Sequence, residues 1–368
     1  MEPYPIIDAH VHYSPVIGYD ELTGILDETG TARANLVLLP DRETLSCVPQ
    51  ALVLKDRFPG RFYLFAGFDV SAYRCPDSLG EQMKQHMEAM RRCGCDGLKI
   101  IEGKPQFHRM FPVPDWDAPV WEPFWAYAEE TALPVLWHVN DPEAFWDADS
   151  APDFAREKGW VYDESDINNE VQYLQVLQVL TRHPQLKIVF AHFFFLSAQL
   201  SRLAAILDAF PNVMIDLTPG IEMYQNFSAA PEKARRFFRK YSRRILYGTD
   251  IGGRAVIAGG TKGLNRRECL QRAALVRAFL LEKEPLTVRA DAYPTGIDDF
   301  VMIPLGLEEP EARRIFAGNF LDFVGREPAA VDAAGVLREC ERIRQLLPAA
   351  AQLPSLQSAE EYFTRHSS

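Results

Sequence analysis

Short apolar runs alternate with longer amphipathic stretches along most of the chain. Eight of these runs read as strands: Pro5–Ala9, Asn35–Leu39, Phe62–Gly67, Asp96–Ile100, Leu133–Trp137, Lys187–Ala191, Val213–Leu217 and Ile245–Gly248. Most are nearly continuous hydrophobics, as in parallel strands covered on both faces. Helical spacing fills the intervals. Asp77–Arg92 opens on an aspartate suited to a cap and places Leu79, Met83, Met87 and Met90 on one face. Asn169–Arg182 sets Val171, Leu174, Leu177 and Leu180 at similar spacing, and Ser197–Phe210 and Arg266–Leu281 read likewise. This repeated alternation predicts an α/β fold, a distorted (β/α)8 TIM barrel rather than an open doubly wound sheet. The first strand-to-helix turn has no GxGxxG or GxxxxGKS/T loop, which removes the main support for a nucleotide-binding sheet.

No Gly/Ser- or Pro-rich linker divides the barrel, expected over residues 1–325. Beyond Gly325 an Ala- and Glu-rich helix over Ala329–Leu347 and a polar tail predict a C-terminal helical appendage, residues 326–368. Two connections, Glu102–Ala118 and Val139–Asn168, are too long for simple turns. Both follow strand ends on the face where barrel enzymes build their sites.

That face gathers the chemistry. In IIDAHVH, strand alternation puts His10 and His12 on the same side. LPVLWH ends at His138, KIVFAH at His192 and ILYGTD at Asp250. One strand-end histidine is ordinarily a rim or core residue. Several imidazoles and a carboxylate converging on one pole suit a divalent transition metal with an open position for water or substrate. Asp8 is expected to orient a neighbour or take backbone donors. Bland roles fit the other histidines: His86 at a helix edge, His183 at a helix end, His366 in the tail, and His108 in a solvated loop. In the long connections, Lys104, Arg109 and Arg254 are candidates to hold a substrate carboxylate. Trp116, Trp121, Asn140, Asp141, Phe145, Trp146 and Tyr162 are candidates to wall a pocket or to pack the loops down.

Charge and composition narrow the partners. The 368 residues carry 39 Lys+Arg against 51 Asp+Glu, a formal net charge of −12, with no basic run to meet phosphates. Nucleic-acid binding is therefore not expected. The apolar runs are too short to span a membrane, and PYPIIDAHVH after Met1 shows no signal-peptide pattern. The six cysteines include no CxxC pair, which suits a reduced, cytoplasmic protein.

IIDAHVH, LWHVND, VFAHFFF and ILYGTDIG resemble the motifs of strands 1, 5, 6 and 8 of the amidohydrolase superfamily. EEPEARRIFAGNFLDFVG resembles the closing helix of its amidohydrolase-related branch, which also contains metal-dependent decarboxylases. The resemblance spans roughly residues 4–325 and implies one divalent metal at the barrel mouth. By it, His10, His12, His138 and Asp250 bind the metal, and His192 either supports the ligands from behind or acts directly in catalysis. Zn2+ is the default, with Mn2+, Fe2+ or Co2+ suited to similar ligands. Lys99, in GLKII, stands where some members carry a carboxylated lysine bridging two metals; a substrate contact is its other reading. Two segments depart from the branch. IGGRAVIAGGTKG follows Asp250 in place of a Tyr-Pro-type continuation, and HFFFLS replaces a Gly-containing turn.

The expected activity is hydrolysis of a small-molecule amide, ester, lactone or related bond. Asp250 would accept the water proton and His192 would polarise the carbonyl or stabilise the oxyanion. The alternative is non-oxidative decarboxylation of an aromatic or unsaturated acid at the same site. A third reading, from another class, is a non-catalytic metal-stabilised binding protein. The expected partner is a small-molecule substrate, met by a monomer or a homo-oligomer.

Overall fold

Nine strands run parallel in the order β8-β7-β6-β5-β4-β3-β2-β1-β9. They are β1 Ile6–His12, β2 Thr31–Val37, β3 Phe62–Gly67, β4 Gly97–Gly103, β5 Pro134–Val139, β6 Lys187–Phe190, β7 Val213–Asp216, β8 Ile245–Leu246 and β9 Ile251–Gly252. The computed structural model describes residues 5–40, 45–220, 222–253, 265–289 and 299–366. β8 and β9 are two halves of one stretch: β8 pairs with β7, and β9 pairs with β1. Between them Ala9 N donates to Tyr247 O at 2.9 Å, and Asp250 N donates to His10 O at 3.0 Å. The sheet therefore closes on itself, and the distorted (β/α)8 barrel is what the alternation builds. Its distortion is this broken eighth strand. Gly252 makes the closure sterically possible: its φ is +97°, and a Cβ there would lie 2.1 Å from His12 O.

The barrel interior is filled by Ile7, Ala9, Tyr63, Phe65, Leu136, Val189, Met214 and Leu246. Phe320 and Phe323, from the helix Asn319–Val324, join that cluster. They enter at the N-terminal pole, because Asn319 Nδ2 donates to Ser242 O and Ile245 O (2.7 Å each), where β8 begins. One pole is thus plugged by apolar side chains, and polar chemistry is confined to the other. The C-terminal segment forms the helices Ala333–Leu346 and Pro354–His366, packed on the helices Val48–Arg57 and Leu79–Cys93. The tail that reads as merely polar is helical because Leu356, Ala359 and Phe363 give it a buried face.

Asp96 joins three layers. Its carboxylate takes Lys55 Nζ at 2.5 Å and Leu64 N at 2.8 Å, while its other oxygen takes Ala329 N at 2.6 Å. A separate antiparallel pair, Leu286–Val288 with Phe300–Met302, stands outside the barrel sheet. Among the described residues no helix is long and apolar enough to cross a membrane.

Three local readings are corrected. The helix at Asp77 starts at Leu79, after a 3-10 turn over Pro76–Ser78, and Asp77 does not cap it. Its buried face is Leu79, Met83, Met87 and Met90 as expected, joined by His86, whose Nε2 lies 2.9 Å from Gly67 O. In Asn169–Arg182, Val171 and Leu174 are 47% and 57% exposed, whereas Gln172 and Gln175 are buried. Trp116 explains this reversal. Its Nε1 donates to Gln172 Oε1 at 3.2 Å and its backbone N to Gln175 Oε1 at 3.3 Å. The glutamine amides donate in turn to Asn140 Oδ1 (2.7 Å) and Asp115 Oδ1 (2.8 Å), so both side chains are satisfied inside.

Candidate metal centre and active site

β1 is buried along its whole length and delivers His10 and His12 to the open pole with ring centroids 5.0 Å apart. Asp216, ending β7, accepts from His10 Nδ1 at 2.8 Å, which puts the proton on Nδ1 and turns the Nε2 lone pair inward. The break between β8 and β9 presents Asp250 in a left-handed conformation, φ +57°. Its Oδ1 lies 2.9 Å from His12 Nε2 and 3.9 Å from His10 Nε2. Ligand atoms of His10, His12 and Asp250 all fall within 4.8 Å of one another, and all three residues are buried. Two imidazoles and one carboxylate at that spacing fit a divalent cation.

His138 and His192 stand beside this trio. The His192 ring is 5.7 Å from His10 and 5.0 Å from His138. His138 is not within the trio's spacing, because its Nε2 faces Asp141 Oδ1 at 3.6 Å. Burial holds the His138 imidazole down at about 4, against the pull of Asp141. Burial also keeps His192 neutral, well below the ordinary histidine range, with His138 adding to the effect. Thr218 O accepts from His192 Nδ1 at 3.3 Å, and Thr218 Oγ1 lies 3.1 Å from the same nitrogen. A neutral ring donating through Nδ1 has only a lone pair at Nε2. In this tautomer His192 Nε2 accepts hydrogen bonds rather than donating them.

The backbone at His192 is unusual. His192, Phe193, Phe194 and Phe195 all have φ between +52° and +58°. A left-handed turn costs L-residues roughly 1–2 kcal/mol each, and the Gly-containing turn that HFFFLS replaces would avoid that cost. The phenylalanines offset it. Phe193 packs among Phe227, Phe237 and Phe238, with centroids 4.9, 5.5 and 5.5 Å away. Phe194 stacks on Phe190 at 3.8 Å. Burying these two rings contributes about 3–6 kcal/mol together, the same order as the strain. Phe195 lies over the His192 ring at 5.1 Å and meets His138 edge-on at 5.4 Å.

Asp8 does what its position suggests, accepting from His10 N (3.1 Å), Thr249 N (3.2 Å) and Thr249 Oγ1 (2.5 Å). Burial raises its carboxyl to about 7, although Thr249 opposes the shift. Lys99 is buried near enough to Asp216, Glu102 and His138 to bias all three.

The long loops are stapled mainly to themselves. Asp141 accepts from Lys104 Nζ at 2.6 and 2.5 Å and from Tyr162 Oη at 2.5 Å. Burial is the largest single influence and works against its charge, but Lys104 and His138 together outweigh it and pull the carboxyl down to about 2. Arg109 grips both Asp166 oxygens at 2.6 Å, together with Gly159 O and Val161 O. Asn140 is turned onto the helix at Asn169, donating to Asn169 O at 3.1 Å. Trp146 donates to Ile167 O at 3.3 Å and packs on Tyr162. Trp116 and Trp121 are core residues, stacked at 5.1 Å. Arg254 lies outside the described residues.

His183 is buried between Glu129 (3.0 Å) and Glu122 (3.3 Å). His108 is not a solvated loop residue, since burial lowers it from the ordinary 6.5 to about 4. Between those values the unfolded chain takes a proton that the fold refuses, so stability falls as pH drops from 6.5 toward 4. His108→Gln is expected to shrink that loss, read as melting temperature against pH. An unchanged profile would contradict it.

Comparison with known proteins bears on what this centre is for. The family model described as Amidohydrolase matches residues 7–326. The chain belongs to the amidohydrolase family. Members of this metal-dependent family are enzymes, hydrolases and decarboxylases among them. No curated protein sequence matches this amidohydrolase significantly. Solved structures similar in fold include a TIM-barrel protein from Bordetella bronchiseptica, at TM-score 0.52 and 12% identity over 88% of this chain and 99% of that one. An amidohydrolase II structure aligns at TM-score 0.51 and 11% identity, covering 87% and 99% of the two chains. A dihydroxybenzoic acid decarboxylase from a Polaromonas species, with bound manganese and 2-nitroresorcinol, aligns at TM-score 0.51 and 14% identity over 88% and 97%.

Sequence reasoning did not single out Asp216, Thr218 or Arg272. A charged residue closing the apolar run VMID was the available signal for Asp216. Arg272 Nη1 lies 3.1 Å from Asp250 Oδ2. Its signal was an arginine on the apolar stripe formed by Cys269, Ala273, Val276 and Phe279.

Proposed function

We propose that this amidohydrolase is a metal-dependent hydrolase of a small-molecule amide, ester, lactone or related bond. The observation that carries this reading is the convergence of His10, His12 and Asp250 within 4.8 Å at the unplugged pole. His10 and His12 would hold the cation through Nε2 and Asp250 through Oδ1, with His138 beside them as the fourth candidate. A bound divalent cation, Zn2+ by default, supplies Lewis acidity and makes water acidic enough to ionise near neutral pH. The chain's own groups then handle the protons. The Asp250 carboxylate accepts the proton of the attacking water and returns it to the leaving group. His192 Nε2, a bare lone pair, accepts a hydrogen bond from that water and orients it. Asp216 holds the His10 imidazole through Nδ1 and fixes the His192 backbone by accepting from its N–H, each at 2.8 Å.

The test is made on full-length protein purified without a polyhistidine tag or chelator. Elemental analysis is expected to find about one equivalent of a divalent metal per chain. The zinc-loaded protein is then assayed against panels of esters, lactones and amides, and against carboxylated phenols for CO2 release. Bond cleavage by water supports the proposal. CO2 release without any such cleavage would replace hydrolysis with decarboxylation at the same site. Metal loading without either activity would favour the binding-protein reading.

A further inference from the structure

The helix Arg266–Leu281 buries Cys269, Arg272, Ala273, Val276 and Phe279 along one side. Arg272 is the anomaly in that stripe. It is 5% exposed, and a guanidinium keeps its charge wherever it is placed. Burying such a charge is costly unless an anion meets it, and here the anion is Asp250. Arg272 Nη1 contacts Asp250 Oδ2 at 3.1 Å, while Asp250 Oδ1 faces His12 Nε2 at 2.9 Å and His10 Nε2 at 3.9 Å. The two oxygens of one carboxylate are thereby divided, one to the helix and one to the imidazole pair.

We propose that Arg272 is a positioning residue that makes Asp250 a one-oxygen ligand and sets a fixed positive charge behind the metal centre. This rests on the metal-centre reading above. Two consequences of the arginine oppose each other. Holding Oδ2 pre-orients Oδ1, which favours a cation; the guanidinium charge repels one. The orienting effect is the smaller one, because Asp250 Oδ1 is also turned inward by His12 Nε2 at 2.9 Å. Repulsion between a cation and a dication across one buried carboxylate is poorly screened and is the larger effect. Arg272 therefore lowers affinity for the metal, and the metal that does bind is left less neutralised by its ligands.

The test is zinc affinity of the full-length, metal-stripped protein, measured by competition with a chromogenic chelator at fixed pH and salt. Arg272→Met is expected to bind zinc at least about tenfold more tightly than wild type. Arg272→Lys, which keeps the charge, is expected to stay within about threefold of wild type. A merely structural arginine would give the opposite sign, because loosening the site weakens binding. Unchanged or weaker zinc binding in a folded Arg272→Met would overturn the proposal, as would tightening by Arg272→Lys equal to that of Met. Circular dichroism checks the fold, and Arg272→Gln replaces the Met variant if that one does not fold. Zinc binding that ignores Arg272 defeats this inference alone, whereas a wild-type protein that takes up no zinc defeats the metal-centre reading with it.

Discussion

Asp250→Asn is expected to lower turnover by at least about a thousandfold while most of the metal is retained. The side chain keeps its size, so an amide oxygen can still face His10 and His12, but it can no longer take a proton from water. Removing a positioned acid–base group alone costs about 10²–10⁴ in rate, and here the same side chain is also a candidate ligand. The substitution also leaves Arg272 facing an amide. Breaking a buried ion pair from one side costs about 3–5 kcal/mol of stability, so turnover is compared at a temperature where the variant is shown by circular dichroism to be folded. Elemental analysis on the same preparation separates lost metal from lost proton transfer. Turnover within tenfold of wild type at equal metal content would remove Asp250 from the proton path.

Phe193→Ala is expected to destabilise the protein by about 3–5 kcal/mol, read from urea or thermal unfolding. The ring is fully buried among Phe227, Phe237 and Phe238. The turn gives this position a sharper signature than its size. Glycine ordinarily costs more than alanine in ordered structure, yet at a φ of +56° alanine is the strained residue and glycine is not. Phe193→Gly is therefore expected to be at least as stable as Phe193→Ala. If alanine proved more stable by about 1 kcal/mol, in keeping with the usual order, the left-handed turn would not be the state that holds His192.

The alternation of strand and helix was legible because most barrel strands are buried on both faces and so read as nearly continuous apolar runs. The polar ends of those strands were less legible. β1 continues through His12 and β4 through Gly103, both past the last expected residue, because site side chains interrupt the apolar pattern where the strand is still paired. Gln172 and Gln175 were invisible as core because amides satisfied by Trp116, Asn140 and Asp115 have the composition of a surface. The histidines and Asp250 could be named from strand order, but the tautomer of His192 could not. That depends on which ring nitrogen Thr218 holds, a matter of tertiary contact. Sequence order could not show that His138 Nε2 also faces Asp141 at 3.6 Å, a carboxylate paired with Lys104, 37 residues away in sequence.

The joint at Asp96 has a consequence for biosynthesis. Its three partners are Lys55, Leu64 and, 233 residues later, Ala329. A nascent chain emerging from the ribosome exposes Asp96 and its early partners long before the segment that completes them. Until Ala329 follows, the surfaces of the Val48–Arg57 and Leu79–Cys93 helices that receive the C-terminal pair stay uncovered. The barrel can be nearly finished while that flank remains open to chaperones and to neighbouring nascent chains. Truncations that end at the last barrel element would then fail by aggregating during expression, although every residue of the metal centre is present in them.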